Sequence, residues 1–409
     1  MNIILFTLIF EPDTCAGSYI FSDFATELIK RGHKVTVITT TPHYDEKNAE
    51  QKKKTLISGE KKYYYKSNFN GAEVYHIDVG TKKGNFLNRI KTFFLFQTKA
   101  VKIVKKMRIP CDVIYSQTPP MTIGGFANKI AKFKRAKSVL IVQDLWLDAV
   151  YNKGKINKFL YKILSFFERR DLKRTTYITT LSSEMKNVLV QKTKNKKEVF
   201  IIPNFVNDNI YYPINNISKK DLGFNENKFT VSYVGNIGKA QNLMPLIYLA
   251  ENNHDVEVIV AGNGVDEAKY KNIVEEKGLQ NFKFLGYVSR EKSASINAVS
   301  DICCIMLGEH VVSTSFPSKL YTIMGMGKPV LVSSSKHSSV AKFVLEENIG
   351  VHCDVKEKQS IINEVEKCIK NREKISDMGH KALLLCKEKY TSSVVCDEYL
   401  SLVKGEKNE

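Results

Sequence analysis

Two groups of residues have the types and spacing needed to bind phosphate. In the first, Ser318 and Lys319 follow Pro317 and open an apolar segment that ends at Gly327-Lys328-Pro329, directly before a β-branched run. This order predicts a loop, a short helix and a strand. Backbone N–H groups at a helix start, with a hydroxyl and an ammonium beside them, favour a phosphate or diphosphate. The segment therefore indicates a nucleotide ligand, and a simple helix cap is the alternative.

The second group follows the predicted strands of the C-terminal half. Gly235, Gly238 and Lys239 come directly after one apolar run, and the next run ends at Ala261-Gly262-Asn263-Gly264. Glycine lets the backbone approach a ligand closely, and the lysine adds a cation. This is the chemistry of a phosphate-binding loop without the full spacing of the dinucleotide or Walker patterns.

Alternating strands and helices position these residues. The continuous apolar run at 2–10, the helical pattern at 19–30 and the β-branched run at 34–40 predict a right-handed strand, helix, strand unit. Further strands are predicted at 73–77, 111–116, 138–142, 177–180 and 199–202. They indicate a doubly wound parallel sheet, whose ligands lie at the carboxyl ends of the strands. Those ends correspond here to 16–19, 117–121 and 143–148.

A second series of the same kind begins after a break. Turn-forming residues at 203–213 and a polar stretch at 219–228 predict a hinge. Strands then follow at 229–234, 256–261, 282–285, 302–307 and 329–333, with a helical tail from about 361. The fold class is therefore α/β, with two similar Rossmann-like halves.

The amino-acid composition indicates which classes of partner to expect. The 409 residues include 62 Lys and Arg against 43 Asp and Glu, a formal charge of +19, so the expected partner is anionic: nucleic acid, acidic lipid or a phosphorylated small molecule. A lysine-rich proteome without a special partner is the alternative. Eight scattered cysteines without a Cys-x-x-Cys pair suggest neither a disulfide framework nor a zinc site. The first ten residues are too short and too poor in basic residues for a signal peptide, and no apolar run approaches the length of a membrane span. The expectation is therefore a reduced, cytosolic compartment.

One segment combines positive charge with an apolar side. Residues 81–111 contain no Asp or Glu, and on a helix most apolar residues fall on one broad side. This predicts an interfacial helix on an anionic membrane. The alternative is a helix that packs its apolar side on the sheet. The candidate acceptor and membrane residues are Arg89, Lys91, Lys99, Lys102, Lys105 and Lys106.

Several short motifs, taken in order, resemble one family. They are Gly32-His33 with Val35-Thr36-Val37-Ile38-Thr39, Ile202-Pro203-Asn204, Tyr233-Val234-Gly235, Ala261-Gly262-Asn263-Gly264, Phe284-Leu285-Gly286-Tyr287-Val288, and Pro317-Ser318-Lys319 with Gly327-Lys328-Pro329-Val330. Together they resemble the family-4 glycosyltransferases over nearly the whole chain, and most closely the WbuB-like bacterial surface-polysaccharide branch.

The resemblance implies an architecture and a chemistry. It implies a GT-B fold, in which two Rossmann-like domains face each other across a cleft: an acceptor-binding domain at 1–205, a nucleotide-sugar-binding domain at 206–385, and a helix at 386–409 returning to the first domain. It also implies retention at the anomeric carbon, no required metal and no cofactor. The absence of Asp-x-Asp from the sequence agrees with a reaction that needs no metal.

Roles for individual residues follow from the same resemblance. Gly17 and Ser18 would lie near the donor phosphates, Gly238 and Lys239 would form the donor-phosphate loop, and Lys319 would bind the diphosphate and offset charge on the leaving group. The donor-binding set is Gly17, Ser18, Gly235, Gly238, Lys239, Gly262, Gly264, Ser318, Lys319, Leu320 and Thr322. The catalytic set is Asp144, Lys319 and Glu309.

Two positions depart from the family pattern. The family's paired glutamates fall by register on Thr314 and Thr322, and Glu309, in the same loop, is the candidate replacement. Gln143 stands where many relatives have His, so Asp144 would orient the acceptor hydroxyl or the sugar, or alternatively cap a loop.

The resulting hypothesis is a cytoplasmic glycosyltransferase at the inner face of the cell membrane. Its expected donor is a UDP-linked amino or deoxy sugar such as N-acetyl-L-fucosamine. Its expected acceptor is a polyprenyl-diphosphate-linked saccharide of capsule or O-antigen synthesis. The alternatives are a UDP-sugar 2-epimerase of similar fold and a non-catalytic scaffold that binds nucleotide sugar or membrane, favoured by the missing glutamates. Nucleic-acid binding ranks third, because no recognised module accompanies the charge.

Overall fold

The computed structural model describes residues 1–43, 49–59, 63–79, 86–152, 154–309 and 316–406. The chain divides into two compact units. The first contains Met1–Pro203 together with Val395–Glu409, and the second contains Asn204–Val394.

The first unit is built on a nine-stranded sheet with the order β3-β4-β5-β2-β1-β6-β7-β8-β9. Its strands are β1 (Asn2–Phe6), β2 (Lys34–Thr40), β3 (Ile57–Ser58), β4 (Tyr64–Phe69), β5 (Ala72–Ile77), β6 (Val113–Thr118), β7 (Lys137–Val142), β8 (Tyr177–Thr180) and β9 (Val199–Ile201). Strand β1 lies at the centre and pairs in parallel with β2 and β6. Its residues from Ile3 to Phe6 are buried, as expected for a strand covered on both faces.

Helices cover this sheet. They are α1 (Ala16–Lys30), α2 (Ala49–Lys54), α3 (Phe86–Lys106), α4 (Ile123–Lys134), α5 (Trp146–Asn152), α6 (Lys158–Arg174) and α7 (Ser183–Thr193). The last helix of the chain, α15 (Ser392–Lys404), belongs to the first unit from Val395 onward. Its Tyr399 ring packs 5.2 Å from Phe24 and 5.8 Å from Tyr115, and Asp397 pairs with Arg31.

The second unit has a six-stranded parallel sheet with the order β12-β11-β10-β13-β14-β15. Its strands are β10 (Phe229–Val234), β11 (Val256–Ala261), β12 (Phe282–Gly286), β13 (Ile302–Met306), β14 (Val330–Ser334) and β15 (Gly350–Asp354). Its helices are α8 (Met244–Asn252), α9 (Glu267–Glu276), α10 (Arg290–Val299), α11 (Lys319–Gly325), α12 (Ser339–Glu346), α13 (Lys358–Lys370) and α14 (Arg372–Lys389). The predicted fold of two doubly wound α/β halves is confirmed.

The sheets differ from the prediction in several places, and strands β3 and β4 were not predicted. The first sheet is not wholly parallel, because β4 runs antiparallel to both β3 and β5. Strand β1 ends at Phe6 rather than at residue 10, and residues 7–15 connect it to α1. Strand β15 was not predicted, since its sequence GVHCD is short and contains no apolar run.

Helix α3 packs most of its described apolar residues inward, as expected for the alternative of a helix that packs on the sheet, while Phe94 and Leu95 remain exposed. Phe93, Phe96, Ile103 and Val104 are buried, and the helix packs against β5 and α4. Lys99 donates to the backbone carbonyl of Asp78 at 2.8 Å, so this cation is used within the fold. The exposed lysines of the helix are Lys91, Lys102, Lys105 and Lys106, whereas the side chain of Arg89 lies outside the described part.

A search of the described helices for a membrane span gives a negative result: each is either too short or too polar to cross a bilayer.

Candidate functional site

Three loops at the carboxyl ends of β10, β11 and β12 are joined by backbone hydrogen bonds. Gly235 N–H donates to Ala261 O at 2.8 Å, and Ile237 N–H donates to the carbonyl of Asn263 at 2.9 Å. Gly262 N–H in turn donates to Gly286 O at 2.6 Å. The glycines predicted from the sequence to bind phosphate therefore lie together at one edge of the second sheet.

Close packing at this edge requires glycine. A Cβ on Gly262 would lie 1.9 Å from Gly235 O, and one on Gly264 would lie 2.2 Å from Ile237 O. Gly235 and Gly262 also have positive φ angles of 146° and 140°. Side chains at these positions would push the loops apart, so the glycines set the shape of the edge.

Gln241 organises the loop that carries Gly238 and Lys239. Its Oε1 accepts from Gly238 N–H at 3.1 Å and from Asn236 Nδ2 at 3.3 Å, while its own N–H donates to Gly238 O. Lys239 projects into solvent. The sequence analysis did not select Gln241, although its position three residues after a turn glycine is a signal for such a bond.

Lys319 extends from α11 to the loop after β10. Its ammonium lies 3.9 Å from the centre of the Tyr233 ring, and a Cβ on Gly235 would lie 2.8 Å from Nζ. Burial lowers the pKa of Lys319 to about 7, and no carboxylate opposes that effect. The predicted phosphate-binding lysine is therefore brought to the glycine loop, and no acidic side chain among the described residues pairs with it.

The start of α11 differs from a simple capped helix. Ser318 occupies the cap position without a side-chain cap hydrogen bond, which disfavours the alternative of a purely structural cap. Leu320 is fully buried and its N–H donates to Pro317 O. The hydroxyl of Thr322 donates to Lys319 O at 2.8 Å. Ser318 thus keeps its hydroxyl available, whereas Leu320 and Thr322 are engaged within the helix.

Glu309 lies after β13, beside the glycine loop. Gly308 N–H donates to Ala240 O at 2.9 Å, which fixes the start of this loop. Glu309 is exposed and pairs with Lys356 at 2.7 Å. Thr314, the first position of the family's glutamate pair, lies outside the described residues.

A second group of polar side chains lies at the carboxyl edge of the first sheet. Gly17 and Ser18 are in the first turn of α1, and a Cβ on Gly17 would lie 3.9 Å from Gln117 Nε2. Ser18 Oγ and Gln117 Oε1 are buried and have no hydrogen-bond partner. Buried polar atoms usually have partners, so these atoms are suited to a polar ligand. Gln117 was covered by a predicted loop but not selected as a site residue.

Asp144 follows β7 and lines a cavity of about 20 Å³ in the first unit. Its Oδ1 is buried without a hydrogen-bond partner, and burial raises its pKa to about 6. Thr118, Trp146 and Glu168 also line the cavity. A carboxylate in such a place can accept a hydrogen bond from a ligand hydroxyl, whereas a loop cap would already be bonded.

A buried ion-pair network stands beside this cavity. Lys192 of α7 contacts Asp148 of α5 and, at 2.7 Å, Glu168 of α6. Desolvation raises the pKa of Glu168 despite its lysine partner, and the two carboxylates raise the pKa of Lys192. The network joins three helices around Asp144 and was not foreseen from the sequence. Among the described residues, no group of three His, Cys, Asp or Glu side chains is arranged to hold a metal ion.

Family models match both units. Residues 19–209 match Glycosyltransferase Family 4, and residues 215–383 match Glycosyl transferases group 1. WcaI of Escherichia coli strain K12, provisionally named as a colanic acid biosynthesis glycosyl transferase, is 23% identical over 356 residues, 84% of this chain and 85% of WcaI. WbjE of Pseudomonas aeruginosa, named as a probable glycosyltransferase, is 22% identical over 65% of this chain and 67% of WbjE.

Solved structures agree on the fold. Anabaena Alr3699/HepE in complex with UDP superposes with a TM-score of 0.70 at 16% identity, covering 99% of this chain and 100% of that protein. WaaG, a glycosyltransferase involved in lipopolysaccharide biosynthesis, gives a TM-score of 0.70 at 15% identity, with coverage of 98% and 100%. With a match to Glycosyltransferase Family 4 followed by a match to Glycosyl transferases group 1, the chain belongs to the glycosyltransferases of the GT-B fold.

Proposed function

We propose that this glycosyltransferase takes its sugar from a UDP-linked donor and passes it to a polyprenyl-diphosphate-linked saccharide. The reaction would retain the anomeric configuration and need no metal. The donor binds at the glycine loops and Lys319 of the second unit, and the acceptor at Gln117 and Asp144 of the first. Gly17 and Ser18 remain the candidates for the donor phosphates. The amino or deoxy sugar of the WbuB-like branch, N-acetyl-L-fucosamine, is the first donor sugar to test. The expected product is a capsule or O-antigen precursor.

One observation carries the proposal: the unpaired ammonium of Lys319 beside Gly235. A diphosphate at this edge would give the lysine the anionic partner that the described residues do not supply. Gly235, Gly262 and Gly264 let the loops pack against one another, so that the loop backbone and the Lys319 ammonium lie together at this edge. UDP is the nucleotide in the Anabaena structure with the same fold, which makes it the first choice here.

The proposed chemistry is the one that the family resemblance implies. The bond between the anomeric carbon and the β-phosphate oxygen breaks, and the acceptor oxygen forms the new bond. The hydroxyl proton passes to the departing phosphate on the same face of the sugar. Lys319 stabilises the charge that grows on the leaving group, and Asp144 orients the acceptor hydroxyl. Protein groups thus supply the positive charge that a metal ion would provide in another enzyme.

The test is nucleotide release by purified protein. UDP-, GDP- and dTDP-sugars are supplied with and without a polyprenyl-diphosphate saccharide, and wild type is compared with Lys319→Ala. Release of UDP that depends on the acceptor and falls at least about a hundredfold in the variant supports the proposal. Acceptor-free conversion of the sugar would instead indicate an epimerase. Tight binding of the nucleotide sugar without turnover would indicate a scaffold.

A further inference from the structure

We propose that the exposed face of helix α6 docks on an anionic lipid bilayer. The proposal rests on the proposed function and deepens it. An enzyme that uses a polyprenyl-linked acceptor would work at a membrane. The surface, called the α6 face below, consists of Phe159, Ile163, Phe166 and Phe167 with the basic residues around them.

The apolar residues of the α6 face are exposed and lie together. Phe159 and Phe166 expose 74% and 64% of their surface, and Ile163 and Phe167 are exposed as well. At about 100° per residue, their spacing of four, three and one places all four within one side of the helix. The rings of Phe166 and Phe167 touch, with centroids 5.7 Å apart. Single exposed apolar residues are ordinary, but four on one helix side mark a binding surface.

Other residues of α6 anchor the helix to the core of the first unit. On its opposite side, Leu160, Tyr161 and Leu164 pack on the cluster that contains Met121 and Leu147. The α6 face therefore contributes nothing to this core, and the helix would remain packed if that face were polar.

Positive charge surrounds the aromatic residues. Lys162, Lys173 and Arg174 are exposed on the same half of the helix, and Arg169 is exposed beside it. The Arg170 guanidinium lies 5.1 Å from the Phe167 ring centre. The two acidic residues of α6 are paired and not exposed. Glu168 pairs with Lys192, and Asp171, buried next to Gly125 of α4, pairs with Arg170 at 3.1 Å, so Arg170 adds little net charge. The α6 face is therefore apolar and cationic, without an exposed carboxylate.

The neighbouring helix extends the same chemistry. Helix α4 packs between α3 and α6 and contains no acidic residue. Its Phe133 is exposed, with the ammonium groups of Lys105 and Lys134 at 5.1 and 5.4 Å from the ring centre. Lys129 and Lys132 are exposed too.

An anionic bilayer fits this surface better than a protein. Its phosphates would meet the cations while its acyl chains receive the phenylalanines, as for helices that lie in the membrane interface. A second copy of the chain would bring two cationic faces together, which like charges oppose. Most described apolar residues of α3 are buried, whereas the four apolar residues of the α6 face are exposed, so the α6 face is the larger apolar surface of the two.

The experiment is co-sedimentation of the full chain, without nucleotide, with vesicles of phosphatidylcholine alone or with 30% phosphatidylglycerol added. Binding to the anionic vesicles should weaken at least about tenfold in Phe159→Ser/Phe166→Ser. It should also weaken about tenfold in Lys162→Glu/Arg169→Glu and fall with added salt. The matched controls, Tyr212→Ser/Leu384→Ser and Lys336→Glu/Lys370→Glu, change exposed residues of the second unit and should bind like wild type.

Thermal stabilisation by UDP is measured on the same samples. Loss of vesicle binding with unchanged UDP stabilisation supports the α6 face as the membrane surface. The inference is overturned if the wild type does not bind anionic vesicles, or if either variant pair binds them as well as its control. The UDP result tests the proposed function separately. Self-association of wild type that disappears in Phe159→Ser/Phe166→Ser would also overturn it, because the face would then be a protein interface.

Discussion

The ammonium of Lys319 lies over the ring of Tyr233, 3.9 Å from its centre. Tyr233 is buried, and its hydroxyl donates to Asn236 O at 2.6 Å, so the ring is fixed beneath the loop that begins at Gly235. A fixed aromatic face gives the cation a favourable contact without neutralising its charge. The lysine is therefore held in place before an anion arrives.

This arrangement predicts that UDP affinity depends on pH. The free pKa of Lys319 is about 7, and a bound diphosphate would raise it. Below pH 7 the lysine is already charged, so affinity should be nearly constant. Above pH 7 binding must take up a proton, so the Kd should rise about tenfold per pH unit between pH 7.5 and 9. Calorimetry in two buffers of different ionisation enthalpy should detect the proton uptake, and Lys319→Met should abolish it. Equal proton uptake in the variant would assign the effect to another group.

Gly262 should be intolerant of even a methyl group. In Gly262→Ala the new Cβ would lie 1.9 Å from Gly235 O, so two loops must separate. We expect a loss of about 2 kcal/mol in the free energy of unfolding and of about tenfold in UDP affinity. Gly278→Ala is the control, because Gly278 also has positive φ but open space around it. Urea unfolding and UDP titration of both variants separate the clash from backbone strain, and equal losses would argue against the clash.

Asp144 should lower the stability of the protein at neutral pH while it contributes to the transfer activity. Burial raises its pKa from 3.8 to about 6, so the folded protein holds a proton in this window that the unfolded chain releases. Its contribution to the free energy of unfolding therefore decreases as pH rises from 4 to 6. Asp144→Asn should be more stable than wild type at pH 7.5 by up to about 3 kcal/mol, with a smaller difference near pH 4.

The same variant should lose at least about tenfold in transfer, because an amide orients the acceptor hydroxyl less well than a carboxylate. Wild-type transfer should likewise fall below pH 6. Unfolding curves at both pH values, together with the pH profile of UDP release, provide the measurements. Full activity of Asp144→Asn would show that Asp144 has no function in the reaction.

Lys192→Met should destabilise the first unit. The substitution would leave Asp148 and Glu168 close together and without their shared cation. Breaking a buried pair of this kind costs about 3 kcal/mol. Lys196→Met changes an exposed lysine shortly after the same helix and should stay within about 0.5 kcal/mol of wild type. Both are compared by urea unfolding at pH 7.5. The difference should become smaller as the pH is lowered, because protonation of Glu168, whose pKa is raised by burial, removes the uncompensated charge.

The sequence predicts the glycine loops well because glycine after a buried strand has few structural alternatives. It does not predict the partner of Lys319, since the Tyr233 ring reaches it only through the pairing of β10 with β13 in the folded sheet. The two basic helices show another limit. Periodicity reveals the apolar side of α3 but not whether that side meets the sheet or a membrane. In α6 the buried Leu172 and the exposed Phe166 lie on different sides, so apolar residues surround the helix and conceal its outward face.

Helix α15 has a consequence for biosynthesis. Tyr399 packs on Phe24 and Tyr115, and Lys137 donates to the carbonyl of Val403 at 2.6 Å. The first unit is therefore assembled from one segment that is made early in translation and another that is made last. While the ribosome is still producing the second unit, the surface around Phe24 and Tyr115 lacks its cover, and a chaperone that recognises exposed aromatic residues would find it until the segment from Val395 to Lys404 has emerged.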